Sequence, residues 1–143
     1  MNLVAADSGA FDTSVLGTPE CYWAALEQPA WSPPAGLLIV VAPHPDDETL
    51  GAGGLIHTWA TIHGLPVLVV SVTDGEAACP EISGLGAIRR HELAAAVGEL
   101  ASGGIEAIHL QLPDGQVGRH RRELASALDK ITPNGPRVTV VAP

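Results

Sequence analysis

One short segment of the chain concentrates ionisable side chains directly behind an aliphatic run. In "LLIVVAPHPDDETLGAGG", residues 37–54, an imidazole and three carboxylates fall within the short stretch from His44 to Glu48. Three neighbouring carboxylates repel one another unless a positive group lies among them. The cluster therefore predicts a bound cation or a basic ligand at the end of the preceding strand.

The same segment indicates how a metal ion would be held and used. His44 and Asp47 can converge on one divalent cation through a tight turn, in which Pro45 restricts the backbone. Asp46 would then lie beside the ion, where an uncoordinated carboxylate can remove a proton from a metal-bound water. Glu48 either takes part in the site or has only a structural role, because a carboxylate at the start of a helix also suits the helix dipole. Both interpretations stay open.

A nucleotide-binding turn is the main alternative for this segment, because "GAGG" also follows a strand. A GxGxxG pattern that begins at Gly51 would require glycine at the position of Ile56, and the acidic cluster would repel a pyrophosphate. We therefore reject that alternative. The glycines are explained by close packing of the following helix on the sheet.

The rest of the chain alternates aliphatic runs with helix-like segments, a pattern that predicts βαβ units and a mainly parallel sheet. Parallel sheets bind ligands beyond the carboxyl ends of their strands, and polar motifs follow three of the four runs here. After the second run comes "TDGE", and after the third comes "PDG". The predicted strands are 37–42, 66–72, 105–112 and 137–142, and the predicted helices are 50–63, 85–101 and 119–131, with Gly64 and Gly103 as helix stops.

The helix predicted at 85–101 carries charges on its apolar stripe. At 100° per residue, Arg89 and Glu92 face inward with the aliphatic residues, whereas Arg90 faces solvent. A charge pair on such a stripe is either a structural salt bridge or part of a functional site. The spacing alone leaves both possibilities open.

The composition narrows the class of protein. A chain of 143 residues with 46% hydrophobic residues fits one core, and a formal net charge of -9 argues against nucleic acid and anionic membranes as partners. Small molecules are the expected partners. Cys21 and Cys79 form no CxxC pair, and no secretory signal or membrane span is found, so a reduced, cytoplasmic protein is expected.

Residues 1–36 are predicted to form an N-terminal appendage to the main domain at 37–143. Thr18 is a suitable N-cap, and Pro19 suits the first helical position, so a short helix to about Glu27 is expected. The proline-rich "PAWSPP" would connect this helix to the first strand.

With "PHPDDE", "GAGG", "TDGE", "RxxE" and "PDG" in this order, the chain from about Leu37 to Pro143 resembles the PIG-L family of metal-dependent deacetylases, also called LmbE-like. The resemblance implies a Rossmann-like three-layer α/β sandwich that hydrolyses N-acetyl groups of amino sugars such as N-acetylglucosamine compounds. It implies Zn²⁺, or another divalent cation, on His44 and Asp47, with Asp46 as the general base. Substrate-binding or supporting positions are implied for three further residues, Glu76, Arg89 and Asp114.

The family takes its third metal ligand from an "HPDH"-like segment after the fourth strand, and the present sequence ends at "VVAP", where that segment would begin. We therefore expect the domain to be incomplete at its C-terminus, with weak zinc binding and barely detectable deacetylation by these 143 residues. The alternative is a truncated or degenerate member that binds metal or sugar weakly without catalysis. Structural roles are expected for the other histidines: His57, His63, His91, His109 and His120.

Overall fold

A computed structural model describes residues 32–101, 103–132 and 137–142. The helix predicted near Thr18 lies outside these residues, and the division of the chain at residue 36 stays a prediction. No helix in the described ranges is long and apolar enough to cross a membrane. The elements are β1 (Leu37–Ala42), α1 (Asp47–His57) with a π-helical extension (Thr58–Ile62), β2 (Val67–Ser71), α2 (Leu85–Leu100), β3 (Ile105–His109), a 3₁₀ turn (Val117–Arg119), α3 (Arg121–Ile131) and β4 (Val138–Val141).

The four strands form one parallel sheet in the order β3-β2-β1-β4. Val40 of β1 pairs with Val69 of β2 on one side and with Val141 of β4 on the other. The predicted parallel α/β sheet is thereby confirmed. The chain moves outward from β1 to β3 and then returns to the opposite side of β1, so the strand order reverses between β1 and β4. Such a reversal is where open α/β sheets bind ligands.

Helices cover both faces of the sheet, which gives the three layers expected from the sequence. On one face, α1 and α2 bury Ile56, Trp59 and Leu93 against β1 and β2. On the other face, the partly buried Leu128 of α3 packs with Val70 of β2. Because side chains alternate between the two faces of a strand, a strand buried on both faces is mainly aliphatic, as "LLIVVA" is and as "VLVVS" is up to its last residue.

Two boundaries, the start of α1 and the end of β3, differ by three residues from the sequence-based prediction. Helix α1 begins at Asp47 rather than near residue 50, so Asp47 and Glu48 belong to its first turn and Asp46 is its N-cap residue. Strand β3 ends at His109, because Gln111 adopts a left-handed backbone conformation with φ of 54° and cannot continue an extended strand. The predicted stop at Gly64 agrees with its φ of 62° directly after the π-helical extension.

Candidate functional site

The turn between β1 and α1 is held by carboxylates that reach back to the main chain. Asp47 Oδ2 accepts a hydrogen bond from the His44 N–H at 3.0 Å, and Glu48 Oε2 accepts one from the Asp46 N–H at 3.0 Å. Asp46 itself has φ of 114°, which a side-chain-bearing residue rarely adopts. The turn therefore presents His44 and Asp47 separately from Asp46.

The His44 and Asp47 side chains converge on one side of the turn, as the sequence predicts. His44 Nδ1 lies 3.5 Å from Asp47 Oδ2, and the two side chains are 44% and 43% exposed. The other ring nitrogen, Nε2, lies 3.1 Å from Oδ1 of Asp114, which follows β3. His44 and Asp114 line a cleft of about 470 Å³. An imidazole and a carboxylate at this spacing are suitable donors for one divalent cation.

Arg89 of α2 binds the other side of the turn. Its Nη2 donates to Asp46 Oδ2 at 3.0 Å and to the Pro45 carbonyl at 2.8 Å, while Nη1 donates to the Gly75 carbonyl at 3.3 Å. The prediction that Arg89 is buried and paired with a carboxylate is confirmed, since its side chain is only 18% exposed. Asp46 and Arg89 line a separate cleft of about 230 Å³ between α1 and α2.

Two predictions about α2 are wrong. Arg90, expected in solvent, is half-buried and pairs with the buried carboxylate of Asp74. Its long aliphatic stem lets a residue on the flank of the helix reach back to the end of β2. Glu92, expected to face inward, is exposed, because Leu93 occupies the inward position.

Glu76 and Asp114 connect the loops that follow β2 and β3. The Asp114 N–H donates to Glu76 Oε1 at 2.9 Å, and the Ala77 N–H donates to Asp114 Oδ2 at 3.2 Å. Burial raises the pKa of Asp114, but hydrogen bonds from His44 and from the N–H groups of Ala77 and Gly115 outweigh it, so the pKa lies below its ordinary value. Both carboxylates thus support the rim of the site.

Three residues that shape the site were not identified from the sequence as having these roles. Glu48 is 1% exposed and holds the turn, and Gln111 Nε2 donates to Asp74 Oδ2 at 3.2 Å. Gly75 has φ of 64°, and a Cβ added there would overlap the Arg89 guanidinium. Of these three residues, only Gly75 could have been identified from the sequence, because the "TDG" turn places glycine where a left-handed conformation is common.

The structure brings together two candidate metal donors. In the described ranges, no group of three or more His, Cys, Asp or Glu side chains could hold a metal ion. Two of the remaining histidines have local partners, since His57 Nδ1 lies 2.8 Å from the Leu100 carbonyl and His120 Nδ1 lies 2.9 Å from Glu123 Oε2. The metal-binding role of His44 and Asp47 stays a prediction.

A parallel α/β sheet with an acidic, histidine-bearing turn at its strand-order reversal defines a Rossmann-like domain. Residues 39–143 match the family described as PIG-L: GlcNAc-PI de-N-acetylase. The chain belongs to the PIG-L family.

Solved structures of the same fold include a deacetylase. N,N'-diacetylchitobiose deacetylase from Pyrococcus horikoshii is 30% identical with a TM-score of 0.57, over 73% of this chain and 40% of its own. The conserved protein TT1542 from Thermus thermophilus is 37% identical with a TM-score of 0.52, over 67% of this chain and 42% of its own. This chain therefore spans about two-fifths of either structure. No curated protein matches it.

A third solved structure shares only the fold. GalB, the 4-carboxy-2-hydroxymuconate hydratase from Pseudomonas putida, is 24% identical with a TM-score of 0.55, over 68% of this chain and 44% of its own. Since one fold can carry different reactions, the sheet alone does not assign deacetylation. The assignment has to come from the side chains of the site.

Proposed function

We propose that this chain carries the strand-end half of a zinc-dependent deacetylase site that acts on N-acetylated amino sugars. The observation that carries the proposal is that the candidate metal donors and the candidate base in the turn after β1 have different partners. His44 and Asp47 converge within 3.5 Å on one side, while Asp46 is presented on the other side by Arg89. Family membership and the diacetylchitobiose deacetylase neighbour support the reaction class.

The donor chemistry at the turn fits a divalent cation in part. His44 would supply an imidazole nitrogen and Asp47 a carboxylate oxygen, both of which are common zinc ligands. Nearly half of each side chain is exposed, so both can reorient without opening the core. When bound, zinc would acidify a water molecule and polarise the acyl carbonyl.

In the proposed reaction, Asp46 acts as the general base. Its carboxylate takes a proton from the attacking water, whose oxygen bonds to the acetyl carbon. The carbon–nitrogen bond then breaks as the nitrogen receives the proton that Asp46 took from water, so that acetate and the amine are released. Arg89 contacts only Oδ2 in the hydrogen bond described above, and the Asp46 side chain is 57% exposed, which leaves carboxylate surface for a water molecule.

The remaining predicted site residues fit supporting roles in this proposal. Arg89 uses its guanidinium to hold the turn, and Glu76 and Asp114 hold neighbouring loops together. Asp114 also contacts the His44 ring, as carboxylate partners of metal-binding histidines commonly do. A small amino-sugar substrate and a cytoplasmic location remain predictions.

A second candidate function is metal or sugar binding without significant catalysis. It is favoured by one observation, namely that no group of three potential ligands occurs within the part of the chain that the structure describes. A catalytic zinc normally has three protein ligands and a water. Two donors would give weak binding and a solvent-exposed ion.

The test is an assay of free amine release on the 143-residue chain with added Zn²⁺, using N-acetylglucosamine and N,N'-diacetylchitobiose as probes. Asp46→Asn keeps the size of the side chain and removes the base, so amine release should fall to the uncatalysed background. Thr132→Val, which removes a side-chain hydrogen bond at the end of α3, is the matched control and should leave turnover unchanged. Zinc binding without Asp46-dependent amine release would favour the second candidate.

A further inference from the structure

Glu48 is a buried carboxylate that the proposed reaction does not use. It is 1% exposed at the start of α1, and both of its oxygens accept hydrogen bonds. Oε2 accepts from the Asp46 N–H at 3.0 Å, and Oε1 accepts from the Thr49 hydroxyl at 2.7 Å. Burying a carboxylate is unfavourable unless hydrogen bonds replace its water. A carboxylate in this place therefore needs a reason beyond the helix dipole, which an exposed side chain would serve as well.

The backbone that Glu48 contacts is strained. Asp46 has φ of 114° and ψ of -29°, a conformation that an L-residue keeps only when its surroundings enforce it. The Asp46 N–H points to Glu48, and the Asp46 carboxylate points to Arg89. The residue is thus held at both its backbone and its side chain, by groups from two different helices.

We infer that Glu48 is a positioning residue, which holds Asp46 in its strained conformation and so aims the general base. The inference rests on the proposed function, in which Asp46 takes the proton from water. Glu48 is 1% exposed and contacts the Asp46 backbone, so in this inference it acts through Asp46.

Removing the acceptor should release the turn. Without Glu48 Oε2 the Asp46 N–H loses its partner, and the backbone can relax to the negative φ that its side chain prefers. That rotation moves the carboxylate away from the water it must deprotonate. Since a displacement of about 1 Å in a catalytic group can cost about 100-fold, kcat should fall by about that factor while KM stays nearly constant.

The experiment compares Glu48→Met, Glu48→Gln and Thr132→Val in the full chain. Glu48→Met fills the buried volume without an acceptor, whereas the Gln carbonyl can still accept the Asp46 N–H while its amide donates to Thr49. Thr132→Val removes a hydrogen bond far from the turn. Thermal melting shows that each variant is folded, and ¹⁵N-resolved hydrogen exchange reports the Asp46 amide directly.

In Glu48→Met the Asp46 amide should exchange at least about tenfold faster, since it has lost its partner, and kcat should fall about 100-fold. Glu48→Gln should keep most of the protection of the Asp46 amide and most of kcat. Thr132→Val should change neither the protection nor kcat. A folded Glu48→Met chain whose Asp46 amide stays protected, or whose kcat is unchanged, overturns the inference. A Glu48→Gln chain that behaves like Glu48→Met overturns the role of the acceptor.

The proposed function fails separately. If the unsubstituted chain binds zinc but shows no Asp46-dependent amine release, deacetylation by these 143 residues is wrong, and the aiming of a base is overturned with it. The exchange of the Asp46 amide still decides, in the same samples, whether Glu48 holds the turn.

Discussion

The two sides of the turn after β1 are built in opposite ways. On one side, His44 and Asp47 are half-exposed and contact each other, and His44 also contacts Asp114. On the other side, Asp46 is held by the buried Glu48 and the largely buried Arg89. Side chains that must exchange protein contacts for a metal need freedom, whereas a base must keep one orientation. We refer to these as the open side and the clamped side of the turn.

The largest expected effect is a difference in zinc affinity between variants of the open side and variants of the clamped side. His44→Ala should weaken zinc binding by about 100-fold or more, because each ligand carries a large share of the binding free energy. Asp46→Asn, on the clamped side, should change the zinc Kd by less than about threefold, as it removes no ligand. Competition with a chromophoric chelator measures both. Equal losses in the two variants would mean that the open side is not the metal side.

The next largest effect is expected on the free energy of unfolding, when Gly75 beside Arg89 on the clamped side is replaced. Gly75→Ala should lower the free energy of unfolding by about 2–4 kcal/mol, because it adds backbone strain and displaces the Arg89 guanidinium. Gly64→Ala is the matched control, since Gly64 has nearly the same φ and nothing within 4 Å of an added Cβ. It should cost only about 1–2 kcal/mol. Urea denaturation measures both values.

An Arg89→Met background sharpens this comparison. If the guanidinium is the obstacle, Gly75→Ala in that background should cost no more than Gly64→Ala does, because only the backbone strain remains. An undiminished cost would show that the close approach of Arg89 to Gly75 does not matter for stability.

The smallest expected effect concerns acid stability on the open side. The folded-state pKa of Asp114 is lowered, so Asp114 contributes stability that is present above its unfolded pKa and is lost as pH falls through the folded pKa. In metal-free chain treated with EDTA, Asp114→Asn should therefore make the acid limb of the stability curve shallower below about pH 4. Asp129→Asn on α3 is the control. An unchanged limb in Asp114→Asn would contradict this assignment.

The sequence was sufficient for the architecture because the two central strands, β1 and β2, are buried on both faces. The strand "VLVVS" is aliphatic up to its last residue, and its type and direction follow from its length and from the helices around it. The convergence of His44 and Asp47 was also predictable, since it depends on a turn of a few residues with one proline. Local chemistry and local geometry were enough in both cases.

The errors arose where long side chains and strained backbone decide the outcome. Helical phase indicates which way Arg90 leaves the helix, but not that its stem reaches Asp74. No periodicity predicts that Gln111 leaves the extended conformation and ends β3. The burial of Glu48 depends on the φ of Asp46, which only the assembled turn determines.

The strand order has a consequence for the folding pathway. Strand β1 joins β2 after a single intervening helix, whereas its other neighbour, β4, lies at the far end of the described chain, where Val138 pairs with Leu37. Closing a longer loop costs more entropy before any contact is gained, so β4 should dock last. Asp47 shares a cleft with Val141 of β4, whereas Arg89 reaches the turn from α2. A refolding chain should therefore acquire the clamped side first and enclose the neighbourhood of Asp47 only in its final kinetic phase.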